Sequence, residues 1–242
     1  MDENQSIYTW IDSQKEAIIH DLMTWSGINS HVFNPEGQRD QRKAIIQKIA
    51  PLECLIEEIP LPAFLHIDES GNQHNITVEP LLIASKRPEA PIQIILSGHM
   101  DTVFPKHSTF QSAKIIDSIH MQGPGVADMK GGLLVAILAL TALEKSKNAS
   151  SFGWKFVINP DEEIGSPSSE GALTELAQRA DYALVFEPAF PDGAFVSQRA
   201  GSINLVIIAK GISAHAGRDF VKGRSALFAL AALVADIQLL PH

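Results

Sequence analysis

Between residues 91 and 190 the apolar positions fall into two kinds of run that take turns along the chain. "IQIILS" (92–97), "WKFVINP" (154–160) and "YALVFEP" (182–188) are short and almost continuously apolar, as strands covered on both faces require. "KGGLLVAILALTALEKS" (130–146) and "SSEGALTELAQR" (168–179) lie between them and have helical length and helix-forming composition. Such alternation predicts an α/β fold with a mostly parallel, doubly wound sheet. Upstream, "IYTWIDSQKEAIIHDLMTW" (7–25) and "QRDQRKAIIQKIA" (38–50) read as helices around the loop "SGINSHVFNPEG", and "NITVEPLLIAS" beyond Pro51 is β-like. A second unit is expected from residue 199, built from a strand in "SINLVIIAKG" and a helix in "GRSALFALAALVADIQLL". The expected division is therefore 1–198 and 199–242. One strand and one helix cannot bury their own apolar faces, so the second unit reads as incomplete or covered by something else.

Composition narrows the function classes. The 242 residues are 45% hydrophobic and 19% charged, with a net charge of -9 and no stripe of Lys or Arg to neutralise phosphates, which argues against nucleic acid as a partner. The opening "MDENQSIYTW" is acidic where a secretory leader is basic, and no apolar run reaches the roughly 20 residues of a bilayer span. A soluble, cytoplasmic protein is expected, with no membrane partner. Cys54 is the sole cysteine, which excludes an internal disulfide and thiolate zinc sites. Any metal must be held by His, Asp and Glu.

Those residue types gather where the predicted strands end. His99 and Asp101 follow the strand 92–97, Asp128 lies in "GPGVADMKGG" before a helix, Glu162 and Glu163 follow 154–160, and Glu187 closes 182–188. In open α/β sheets ligands bind beyond the carboxyl ends of the strands, so these groups are expected to converge at one sheet edge. Each has a bland alternative: a local His–Asp hydrogen bond, an acidic helix start, an ordinary strand end, a loop cap at His215. Gly123-x-Gly125 does not follow its strand at once and meets Asp128 where a dinucleotide fingerprint needs glycine; no nucleophile elbow or Walker loop occurs. Hard N and O donors suit zinc, with cobalt or manganese as alternatives. Asp128 is placed to bridge two ions, Asp101 to fix the His99 tautomer, and the adjacent glutamates to divide ligation from proton transfer.

"SGHMDTV", "GPGVADMKGG", "DEEIGS", "VFEP" and "GISAHAG" together resemble the zinc metallopeptidase family that includes carboxypeptidase G, aminoacylase-1, acetylornithine deacetylase and succinyl-diaminopimelate desuccinylase. The resemblance runs from about residue 91 to 240. It implies a zinc exopeptidase-like fold with an inserted α+β lid, two zinc ions, and hydrolysis of the amide bond of a small N-acyl amino acid or short peptide. His99, Asp128 and Glu187 would hold one ion, with Asp101 orienting His99. Asp128 and Glu163 would hold the other, and Glu162 would be the general base. His215 matches a lid histidine that assists the oxyanion across a homodimer, and the peptide Asp128–Met129 is implied to be cis. The family also supplies a further ligand histidine after its lid. His242 stands too early for it, so a C-terminally truncated chain is expected, with an inactive remnant or association module as the alternative.

Overall fold

The computed structural model describes residues 3–68, 70–198, 200, 201 and 205–239. Three helices open the chain: α1 (Glu3–Ser13), α2 (Lys15–Ser26) and α3 (Pro35–Ile49). The single helix expected over 7–25 is interrupted at Gln14, where Ser13 Oγ turns back to donate to the Trp10 carbonyl at 2.6 Å. Asn34 caps α3 by accepting from the Gly37 N–H, and Pro35 occupies its first turn. The strands among the described residues are β1 (Leu55–Ile59), β2 (Phe64–Ile67), β3 (Gln73–Ile76), β4 (Leu81–Lys86), β5 (Ile92–His99), β6 (Lys114–Ile115), β7 (Met121–Gln122), β8 (Phe152–Asn159) and β9 (Tyr182–Val185). Helices α4 (Lys130–Glu144) and α5 (Glu170–Ala177) connect β5 to β8 and β8 to β9.

The central sheet runs β1-β4-β8-β5-β9. The α/β expectation holds, and the sheet is mixed: β5 pairs in parallel with β8 and β9, whereas β4 pairs antiparallel with both β8 and β1. Helical crossovers enforce the parallel pairs, and the two N-terminal strands, having no crossover between them, add on antiparallel. Period-2 alternation sorts the side chains. Leu82, Ala84, Leu96, Trp154, Phe156 and Ile158 face the layer of α2, α3 and α4, where Ile45, Ile49, Leu133 and Leu140 meet them. On the other face Leu81, Ile83, Ile95 and Val157 pack under Leu173 and Leu176 of α5.

The C-terminal end of α4 is fixed electrostatically. The Glu144 carboxylate accepts from Arg87 (2.9 Å to Nη1), from Trp154 Nε1 at 2.9 Å and pairs with Lys86 Nζ at 3.0 Å. The Arg87 bond leads in holding its carboxyl down at about 2. A depressed carboxyl stabilises the fold above its unfolded value near 4.5, and that contribution fades as pH falls toward 2. Glu144→Gln is expected to cost about 2–3 kcal/mol through lost charge-assisted hydrogen bonds, lowering Tm by roughly 5–10 °C. The difference in Tm between the two proteins should shrink between pH 5 and pH 2 in thermal melts; a constant difference would refute the linkage.

The chain divides into two compact units, Met1–Phe64 with Asn75–Arg199, and Leu65–His74 with Ala200–His242. The segment 65–74, expected in the first unit, thus groups with the second. There β2 pairs with β3, and Asp68 holds the turn by accepting from Ser70 N, Asn72 N and His74 Nε2. The strand expected over 202–211 begins outside the described residues, and 205–211 form no strand. Only an isolated bridge pairs Ile212 with Arg224, so the apolar run has no ladder partner among the described residues. The expected helix is present as α6 (Ala226–Ile237), capped by Ser225 Oγ accepting from Phe228 N. It has no buried residue, and Leu227 and Phe228 are 74% and 77% exposed.

Candidate metal centre

Register decides which groups meet. β5 runs two residues further than expected and ends on His99 itself, which pairs with Asn159, the last residue of β8. The short helical turn Glu162–Ile164 therefore begins beside His99. On the other flank Val185 pairs with Ser97, and Phe186 N–H donates to the Ser97 carbonyl at 3.1 Å, which delivers Glu187. The strand expected to 188 ends at Val185. Because the chain leaves β5 for β8 on one side and returns to β9 on the other, His99 stands where the strand order reverses. Asp128 arrives from the loop before α4, with the peptide Asp128–Met129 cis. The chain can approach closely here because Gly132 has no side chain; a Cβ there would lie 2.0 Å from the Phe186 carbonyl oxygen.

Six of the seven expected residues come together. His99 is fully buried, and its Nε2 lies 3.0 Å from Asp128 Oδ1, 3.5 Å from Glu187 Oε1 and 3.8 Å from Glu162 Oε2. On the ring's other side Nδ1 is 3.2 Å from Asp101 Oδ1 and 3.1 Å from the Asp101 carbonyl oxygen. Asp101 is also fully buried, and it does more than orient the ring. Its Oδ1 accepts the Glu162 N–H at 3.2 Å and its Oδ2 the Glu163 N–H at 3.0 Å. One carboxylate thus ties the histidine to the turn that carries both glutamates. His215 belongs to the second unit, where it is exposed and its Nδ1 accepts from Gly217 N and Arg218 N, each at 3.2 Å.

The electrostatics are those of crowded acids. Partial burial, followed by the charge of Asp128, pushes the Glu163 carboxyl up to about 7. Asp128 and Glu162 are raised as well, first by burial, with repulsion from Glu187 adding to it in both. Burial works to lower His99, but hydrogen bonds to Asp101 and Glu187 outweigh it and push the imidazole up to about 11. Burial leads the three carboxyl shifts and the neighbouring acids add to it; the negative charge they collect around one nitrogen is a field that a cation relieves. Among the described residues, the side chains whose ligand atoms lie within 4.8 Å of one another form two groups, His99 with Asp128 and Glu163, and His99 with Glu162 and Glu187. Imidazole nitrogen with carboxylate oxygens fits zinc and related divalent ions, and shared His99 flanked by two sets of acids fits a compact multi-ligand centre.

The sequence reading passed over several supporting residues. Lys130 is fully buried, and its Nζ donates to the carbonyl oxygens of Trp25 (2.8 Å) and Ile28, closing the C-terminal end of α2. A lysine in the first turn of an apolar helix opposes the helix dipole, and that mismatch was the available signal. Gln38, buried in α3, donates from Nε2 to the Pro160 carbonyl at 2.6 Å, just before the glutamate turn. Asn29 donates from Nδ2 to the Phe104 carbonyl at 2.9 Å, so the loop after α2 also braces the segment following Asp101.

Peptidase family M20/M25/M40 matches residues 95–235. The chain is 34% identical over 143 residues to carboxypeptidase G2 of Pseudomonas sp. (strain RS-16), covering 58% of this chain and 34% of that protein. It is 29% identical over 223 residues to a probable carboxypeptidase of Aspergillus terreus, covering 90% and 48%. Among solved structures, human carnosine dipeptidase 1 superposes with a TM-score of 0.63 at 18% identity, over 77% of this chain and 41% of that one, a likeness of fold. The chain therefore spans between a third and a half of the length of these proteins.

Proposed function

The chain belongs to peptidase family M20/M25/M40, and from that premise we propose that it is a metal-dependent hydrolase cleaving the amide bond of a small N-acyl amino acid or short peptide. The observation that carries the reading is the meeting of Asp128, Glu162 and Glu187 on one buried imidazole nitrogen, with Asp101 locking that imidazole to the glutamate turn. His99, Asp128 and Glu187 would hold one zinc ion, and Asp128 with Glu163 a second; cobalt and manganese accept the same donors. When bound, such ions polarise a carbonyl and acidify water.

The chain's own groups do the rest. Asp101 accepts the proton of His99 Nδ1 and so keeps Nε2 directed at the acids. Glu162, with a carboxyl raised above the usual range, takes a proton from the attacking water and returns it to the departing amine nitrogen. Its N–H is held by Asp101, so its main chain stays put while the carboxylate changes protonation. The second unit is read as part of a lid that supports a homodimer, with His215 offering a hydrogen bond to the substrate's developing oxyanion; the apolar, unburied α6 supports that reading. No helix among the described residues is long and apolar enough to cross a membrane.

The test pairs metal content per chain, by mass spectrometry after purification with zinc, with hydrolysis of a panel of N-acyl amino acids and dipeptides. About two ions with turnover is the expected result. At most one ion and no turnover would overturn the enzymatic reading of this chain in favour of an association module.

A further inference from the structure

Asp161 stands immediately before the two glutamates and belongs to neither metal-capable group, yet it is fully buried. Its Oδ1 accepts from Ser169 Oγ at 2.6 Å and from Asn159 Nδ2 at 3.4 Å. Its Oδ2 accepts the Ser168 N–H at 2.8 Å and the Ser169 N–H at 3.2 Å. Its carbonyl oxygen accepts the Ser166 N–H at 2.8 Å. A buried carboxylate is tolerated only when its lone pairs are filled, and these donors all come from residues 159–169, at the threshold of α5. The segment is closed into a loop around one side chain.

Inside that loop lies the single turn Glu162–Ile164, followed by Gly165 at φ 90° and Ser166 at φ 56°. A left-handed serine is unfavourable unless its surroundings hold it, and here the Asp161 carbonyl and Asn159 Nδ2, 3.2 Å from Ser166 Oγ, do so. At the near end Asp101 holds the N–H groups of Glu162 and Glu163. The turn is thus gripped from both sides by buried carboxylates. The turn carries its glutamates against like charge: Glu162 is repelled by Glu187, Asp101 and Asp128, and Glu163 by Asp128, Asp101 and Glu162.

We propose that Asp161 is a positioning residue for the metal centre: by accepting from Ser168 and Ser169, just before α5, and closing the loop 161–169, it holds Glu162 and Glu163 in facing geometry before any cation arrives. The inference rests on the metal-centre reading for what the glutamates do, but not for how they are held. Asp161→Asn keeps size and removes charge. Its amide must turn an NH2 toward N–H or O–H donors, and the loop loses an acceptor.

The experiment measures two quantities on the chain with Asp161→Asn: amide hydrogen exchange of Glu162 and Glu163 by NMR, and Zn2+ binding by calorimetry. Glu144→Gln, remote from the centre, serves as the control for general loosening of the fold. Expected are exchange at Glu162 and Glu163 faster by about tenfold or more, with β8 amides unchanged, and Zn2+ affinity lower by about 10–100-fold. The control should lower Tm and change neither quantity. If Asp161→Asn does not yield folded protein, Ser169→Ala, which removes the 2.6 Å donor to Asp161 and the oxygen that accepts from Asn159 Nδ2 at 3.2 Å but keeps the Asp161 carboxylate, should move both quantities in the same direction by less. Unaltered exchange, or equal effects from the control, would overturn the proposal. Absence of Zn2+ binding in the unsubstituted chain would instead overturn the metal reading, while exchange still decides the positioning role.

Discussion

Asp128→Ala is expected to abolish binding of both metal ions while leaving the fold intact. Asp128 is the carboxylate nearest His99, with Oδ1 at 3.0 Å from Nε2, and it also groups with Glu163. In the proposed centre its two oxygens would bridge the two ions, so its loss would remove a ligand from each. Loss of a supporting hydrogen-bond partner alone costs about 10–100-fold in metal affinity, and loss of a shared ligand should exceed that at both sites. Its side chain is 55% exposed, so little packing goes with it and Tm in the absence of metal should hardly change. Calorimetric titration with Zn2+ provides the check. Retention of two ions by the alanine variant would remove Asp128 from the bridging role.

Glu162→Gln should separate binding from turnover. Glutamine keeps the size and one carbonyl acceptor of glutamate but cannot take a proton, and the Asp101 hydrogen bond to its N–H is a main-chain contact that survives the change. Zn2+ affinity is expected to stay within a few-fold, while hydrolysis of any substrate the unsubstituted chain cleaves falls by about 10²–10⁴-fold. The geometry gives this test its edge. Glu162 Oε2 lies 3.8 Å from His99 Nε2 and groups with His99 and Glu187 as a metal-capable triad, so ligation by Glu162 is a real competitor to proton transfer. Loss of metal together with activity would assign Glu162 to the ligands and leave Glu163 as the candidate base.

The candidate site was legible because its residues fall at the ends of recognisable apolar runs. His99, Asp128, Glu162, Glu163 and Glu187 each sit next to a strand or helix boundary, and a parallel sheet necessarily brings such boundaries to one edge. The second unit was legible only as apolar content. "LVII" (205–208) has the residue preferences of a strand and forms none, because a strand exists only as a partner of another strand, and none is offered to 205–211 among the described residues. Asp161 escaped notice for a different reason. In "NPDEEIG" it reads as one more acid in a run, and only the loop that returns Ser168 and Ser169 to its oxygens marks it as buried.

By itself, then, the sequence determined the α/β class, the alternation of strands and helices from β5 to β9, and the set of hard-donor residues, since each depends on local periodicity or on side-chain type. The tertiary structure alone decided three things: the mixed pairing of β1 and β4, the grouping of residues 65–74 with the C-terminal segment, and the double grip of Asp101 and Asp161 on the glutamate turn. All three are contacts between groups whose meeting depends on register and chain reversal. A hydrogen bond of 3 Å is set by where two strands stop relative to each other, and one residue of slip between β5 and β8 would turn the strand's side chains to the opposite face and carry the loops that follow out of reach of one another.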